Sequence, residues 1–223
     1  MSVHTVSSRR QWEQLVANGG YYSYDNFTKS AKEWQKQGFL NYGTIEDKRR
    51  ELAAFLANAA HETGNFQYIE ECVKSAYAQP NQEYPVKPGR RYYGRGPLQL
   101  TWNYNYGSFS EHHYGDKHKL LDDPGKVAES GSLGFSSAIW FWMTQPTSSR
   151  SAHRGIYQDL CAQKKWGFGR TIMAINGGLE GDKSEDEDSR VRQRISFYRQ
   201  FARTLKVTIG QNGEQLDTKA MKS

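Results

Sequence analysis

The chain has 223 residues, 36% of them hydrophobic and 13% aromatic, enough to bury the core of one domain or of two small lobes sharing a cleft. A net charge of +6 favours contact with acidic surfaces, but Lys and Arg are scattered rather than gathered in a stripe and no nucleic-acid motif is visible, so no nucleic-acid partner is expected. No apolar run approaches the roughly 20 residues of a membrane span, Met1-Ser2-Val3-His4 lacks the design of a signal peptide, and Cys72 and Cys161 allow at most one disulfide.

In chain order, Ser7 or Ser8 caps a short helix carrying Trp12, Leu15 and Val16, which Gly19-Gly20 ends. These first 19 residues read as an N-terminal segment, with a single domain expected over 20–207. A second helix is predicted from Asp25 to Gln37. Thr44-Ile45-Glu46-Asp47 is an N-cap with an acidic residue three positions on, and Leu52, Phe55, Leu56 and Ala59 then repeat at helical spacing to give one apolar face. Glu62 stands seven residues after Phe55 and three after Ala59, so it projects from that apolar face. Gly64 and Asn65, which tolerate the left-handed conformation, stop the helix. Beyond them Phe66, Tyr68 and Glu70 alternate with Gln67, Ile69 and Glu71, a period of two that fits a short strand. Glu70 and Glu71 then point to opposite sides, and the pattern does not choose which of them faces a site.

A loop over Ala78 to Arg91 leads into Tyr92-Tyr93-Gly94-Arg95-Gly96-Pro97-Leu98-Gln99-Leu100-Thr101, read as a turn and an extended run in which Gln99 and Thr101 share a face. Trp102 to Tyr106 mixes amides with aromatic rings, which suits sugars, whose hydroxyls need hydrogen bonds and whose C–H faces stack on rings. Gly134 to Thr144 is apolar without alternation and is expected to be a buried core helix, followed by loops over Gln145 to Gly155 and Gly177 to Ser189. The acidic run Glu185 to Asp188 caps a last helix from Ser189 to Leu205, with Val191, Ile195, Tyr198 and Phe201 on one side. Arg194 falls on that same apolar side and needs a carboxylate partner, for which Glu62 and Glu180 are the candidates. The tail, residues 208–223, has no periodic signal and is expected to be mobile.

The chemistry centres on the nine-residue separation of Glu62 and Glu71. Two carboxylates flanking a bond are the requirement of glycoside hydrolysis. Desolvation on an apolar face disfavours the charged form of Glu62, which is what a general acid at neutral pH needs. Both groups can serve one cleft only if the backbone turns between them. Other chemistries lack their parts. His61-Glu62 has Asn65 where a helical zinc motif needs its second His, Gly94-Arg95-Gly96-Pro97 has no phosphate-binding Lys, and no serine sits in a nucleophile elbow, so neither metal nor cofactor is expected.

Several stretches together resemble the family 19 glycoside hydrolases, the plant-type chitinases. They are Tyr21 to Phe27, Lys48 to Ala57 running into His61-Glu62-Thr63-Gly64, Tyr92 to Gly107, Ala138 to Thr144, and Ile175-Asn176-Gly177-Gly178-Leu179-Glu180. The resemblance spans roughly residues 20 to 205. It implies a mainly α, two-lobed, lysozyme-like α+β fold around a central cleft. It also implies endo-hydrolysis of β-1,4-linked N-acetylglucosamine polymers with inversion, by an extracellular monomer acting on chitin or chito-oligosaccharides. By position, Glu62 matches the general acid, Glu71 the general base and Thr101 a residue that holds the attacking water. Gln99, Tyr104, Asn105 and Asn176 match sugar-binding positions, His61 of the acid's motif is expected to bind substrate with them, and Arg194 and Glu180, also counted with the substrate-binding residues, match a charged network around the acid. Inversion implies a carboxyl separation of ~6.5–9.5 Å. The family's usual cysteine pattern and its cysteine-rich chitin-binding module do not appear. The rival expectations are a peptidoglycan-cleaving lysozyme on the same scaffold, which the basic charge suits, and a non-catalytic chitin-binding protein.

Overall fold

Helix α4 (Ile45–Glu62) is the axis around which the chain is wound. The computed structural model describes residues 3–16, 19–144, 151–157 and 165–222. Thr44 caps α4 reciprocally, its Oγ1 accepting from the Asp47 N–H while Asp47 Oδ2 accepts from the Thr44 N–H. The sequence pattern predicts one apolar face, but every residue from Glu51 to Ala60 is buried. The correction has a simple cause: Ala53, Ala54, Ala57, Ala59 and Ala60 are small enough for neighbouring elements to close over the far side as well.

Helices α1 (Val3–Val6), α2 (Arg9–Leu15) and α3 (Tyr24–Gln35) precede α4. Ser8 caps α2 with Gln11 as its reciprocal partner, and Trp12 stacks on Phe27 at 4.4 Å, tying the N-terminal segment to the core. After α4 come α5 (Asn103–Tyr114), α6 (His118–Asp122), α7 (Lys126–Glu129), α8 (Gly131–Thr144), α9 (Ala152–Ile156), α10 (Phe168–Glu180) and α11 (Ser189–Leu205). Helix α11 packs along α4, α3 against α8, and α10 against α9. The expected buried helix α8 and the bounds of α11 are found, with Asp188 capping α11 by accepting from the Arg190 and Val191 N–H groups.

Among the described residues extended pairing is limited to two antiparallel bridges, Glu70 with Arg95 and Arg95 with Leu100. These carry what remains of the strands expected around residues 66–71 and 92–101. Two helices depart from expectation. α5 begins at Asn103, inside the stretch read as a sugar-binding turn. It buries Asn103, Asn105 and Ser110 beside Tyr106 and Phe109, so it carries no apolar stripe that a periodicity argument can find. α10 runs through Gly177 and Gly178 to Glu180, part of what reads as a loop, because burial of Phe168, Thr171, Ile172 and Ala174 overrides the weak propensity of glycine. α9 likewise occupies the end of the expected loop over 145–155, whose residues 145–150 lie outside the described residues, as does Cys161.

The tail is also corrected. Thr218 and Met221 are buried, and Gly169 at the start of α10 has no room for a Cβ because the Asp217 carbonyl occupies that space. Gln215 exchanges backbone hydrogen bonds with Trp166 and Gly169, and Thr218 Oγ1 donates to the Glu180 carbonyl. Residues 210–221 thus form a strap along α10.

Candidate active site

Three consecutive residues past the end of α4, Gly64, Asn65 and Phe66, take left-handed backbone angles of +58°, +61° and +63°. This reversal turns the chain back so that Glu62, at the helix end, and Glu71, nine residues on, line one cleft. The cleft encloses about 570 Å³, and Gln99, Thr101, Tyr104, Asn105 and Asn176 line it with them.

The two adjacent glutamates diverge, as alternation requires. Glu70 accepts from Lys74 Nζ, Tyr93 Oη and Arg95 Nε at 2.8, 2.8 and 3.1 Å. Burial pushes Glu70 up, but these donors outweigh it and hold the carboxyl below its ordinary value. Arg95 lies against the Tyr93 ring at 3.7 Å, so Glu70 belongs to the framework beneath the bridge. Glu71 turns the other way, its Oε1 accepting from Tyr77 Oη at 2.9 Å and its Oε2 from the Gly94 N–H at 3.2 Å.

Behind Glu62 lies a buried charge cluster. The guanidinium of Arg194 is fully buried and donates to both oxygens of Glu180 at 2.9 Å, to Asn58 Oδ1 at 3.0 Å and to Glu62 Oε1 at 2.5 Å. Both proposed partners of Arg194 are therefore met at once. Burial alone would raise Glu180, but the hydrogen bonds and charge of Arg194 prevail and hold it ionised below its ordinary value. Glu62 is partly buried, its side chain 22% exposed, and the cation expected beside it is bonded to it from below. Arg194 and Glu180 are each 0% exposed, so neither reaches a bound sugar; they belong to the support of Glu62 and not to the cleft wall. His61 also stands off the cleft. Burial and the positive charge of Arg194 both push it down, keeping the imidazole neutral, and its Nδ1 is buried without a partner.

The polar groups of the wall are partly committed to one another. Thr101 Oγ1 donates to the Gln99 carbonyl at 2.6 Å and Asn105 Nδ2 to the Thr101 carbonyl at 2.9 Å. Gln99 Nε2 donates to the carbonyls of Ile69 and Gly96, so its amide N–H groups hold the loop. Asn176 breaks the helical angles of α10 with φ −143°, and its Nδ2 donates to Glu180 Oε1 at 2.7 Å, linking cleft wall and charge cluster.

A family model for glycoside hydrolase family 19, described as chitinase class I, matches residues 4–217. This chain belongs to that family. Chitinase C from Streptomyces griseus HUT6037 superposes with a TM-score of 0.81 at 32% identity, covering 96% of this chain and 97% of that one. The mostly helical, lysozyme-like family 19 fold expected from sequence is therefore the fold of this chain. Endochitinase CH5B of Phaseolus vulgaris is 36% identical over 213 residues, 86% of this chain but 63% of the bean protein's length. The chain thus spans less than two thirds of that relative. A Hevea brasiliensis protein named inactive chitinase-like protein 1 is also 36% identical, over 237 residues.

Sequence reasoning missed several members of the family 19 cleft in this chain. Phe141, read as core, lines it from α8, and exposed Leu179 lines it from α10. Tyr77, just before a loop, was missed as well, whereas Trp102, at a helix start with φ +77°, lies in the stretch already read as suited to sugars. No period marks Tyr77; its place follows from a hydrogen bond six residues back to Glu71.

Proposed function

We propose that this protein is an endo-acting, inverting glycoside hydrolase that cleaves β-1,4 linkages between N-acetylglucosamine units of chitin or its oligosaccharides. The observation that carries this reading is that Glu62 and Glu71, on opposite ends of a chain reversal, line one cleft together with Thr101 and a wall of amides and rings. Glu62 protonates the glycosidic oxygen. The carboxylate left behind is the one to which Arg194 already donates, so the cation opposes the charge that forms as the bond breaks.

Glu71 takes a proton from water on the other face of the sugar. The hydroxyl hydrogen of Thr101 is spent on the Gln99 carbonyl, so Thr101 Oγ1 can only accept from that water. A water that donates one hydrogen to Glu71 and the other to Thr101 keeps a lone pair directed at the anomeric carbon. Room for it requires a carboxyl separation of ~6.5–9.5 Å. Tyr104, Asn105 and Asn176 supply ring and amide contacts to the chain of sugars. A wall polymer as substrate places the work outside the cell.

The test is incubation with chitin hexamer and, separately, with purified peptidoglycan, reading product masses and the first-formed anomer by NMR. Internal cleavage of the hexamer to α-anomers is expected. Cleavage of peptidoglycan alone would replace the chitinase reading by a lysozyme, and binding of hexamer without cleavage of either polymer would match the name of the Hevea relative.

A further inference from the structure

Tyr77 is the one hydroxyl that touches Glu71 through a hydrogen bond among the described residues. We infer that Tyr77 is a positioning residue for hydrolysis, its hydroxyl fixing the Glu71 carboxylate in the orientation that takes a proton from the attacking water. This deepens the function proposed above and rests on Glu71 being the base.

Both oxygens of Glu71 are pinned from the protein side. Oε1 accepts from Tyr77 Oη at 2.9 Å and Oε2 from the Gly94 N–H at 3.2 Å, while the Glu71 N–H donates to the Gly94 carbonyl at 2.9 Å. Two donors on different oxygens stop the carboxylate from turning about its terminal torsion, which is otherwise broad. Each oxygen keeps a further lone pair for water.

The backbone says that this placement is imposed. Tyr77 has φ +44°, a region that ring-bearing residues avoid. Gln99 and Trp102 have φ +48° and +77°, and all three line the cleft. Strain gathered at one cleft and held by surrounding structure is the mark of a site where side-chain direction matters more than local comfort. The restraints are visible. The Ala76 carbonyl accepts from the Tyr92 N–H at 2.8 Å, and the Tyr77 ring meets Trp102 edge-on at 5.3 Å and 89°. The hydrogen bond to Glu71 also raises the Tyr77 phenol above its ordinary value, so it stays a donor at working pH.

The experiment is steady-state kinetics on chitin hexamer with Tyr77→Phe, which keeps the ring and its edge contact and removes only the donor. A loss of about tenfold or more in kcat with KM changed less than about twofold is expected, because the lost bond acts on the base and not on the substrate. Unchanged kcat, or a rise in KM alone, would overturn the inference, the latter making Tyr77 a sugar contact. In a Glu71→Ala background Tyr77→Phe should cost nothing further, since its partner is gone; an undiminished second loss would mark a merely structural tyrosine. Wild-type activity in Glu71→Ala alone would instead sink the assignment of the base. With Glu71→Ala inactive and Tyr77→Phe normal, only the positioning role falls.

Discussion

Arg194 and Glu62 are joined across the boundary between core and cleft. The guanidinium has no exposure, the carboxylate is 22% exposed, and the bond from Nη2 to Oε1 is 2.5 Å. Helix α11 thereby holds the end of α4 from behind, through the same side chain that neutralises Glu180.

Replacing Arg194 by Met should be severe. It leaves Glu180 buried without its cation and Asn58 Oδ1 without its donor, at a cost of about 3–5 kcal/mol, the usual result of removing one partner of a buried pair. Thermal or urea unfolding measures it. Arg194→Lys should recover only part of the loss, because the three donors of one ammonium cannot serve the four acceptor oxygens that the fork of Arg meets. A Met variant as stable as wild type would show that the cluster contributes nothing.

Glu62→Gln should lower kcat on chitin hexamer by about a hundredfold or more while leaving hexamer affinity within a few fold, since the amide keeps the shape but has no proton to give. Calorimetric titration and a reducing-end assay on the same preparation separate the two effects. Substantial residual turnover would remove Glu62 from the role of acid.

Thr101→Val keeps the volume and removes the acceptor facing the proposed water. Its hydroxyl also closes the Gln99 turn, so a modest fall in melting temperature accompanies the change. The expected kinetic result is a drop in kcat of about tenfold or more with KM little altered. If KM alone changes, Thr101 contacts sugar and not water.

The docked tail makes stability depend on pH. Burial pushes the Glu214 carboxyl up against the hydrogen bonds it accepts from the Gly210 N–H and the Tyr198 hydroxyl. A folded value raised above the unfolded one means that the stabilisation from protonated Glu214 is full below the ordinary carboxylate range and is lost as pH rises through the folded value. Glu214→Gln should therefore flatten the decline of melting temperature as pH rises above the ordinary carboxylate range. An unaltered slope would show that Glu214 does not carry the effect. Glu180 has the opposite sign: its lowered value gives stability that is present at neutral pH and lost only on strong acidification.

What the sequence determined by itself is whatever short-range chemistry specifies. Thr44 with Asp47, Ser8 with Gln11 and Asp188 before α11 announce helix starts. The spacing of Val191, Ile195, Tyr198 and Phe201 sets the inner face of α11, so the inward aim of Arg194 and its two carboxylate partners were legible before any coordinates. Gly64 and Asn65 likewise signalled the turn that lets Glu62 and Glu71 share a cleft.

Which of Glu70 and Glu71 faces that cleft is settled by long-range contacts, because the choice depends on Arg95 and Tyr93 being bridged to the segment from more than twenty residues away. Packing alone made a helix of α5, whose buried polar residues blur the period of 3.6, carried α10 on through Gly177 and Gly178, and docked the tail, where buried Thr218 and Met221 and the bonds of Glu214 and Gln215 follow no period. A repeating pattern records which side of an element is dry. It does not record which partner supplies the dryness, and the orientation of Glu71 by Tyr77 and Gly94 depends on such partners.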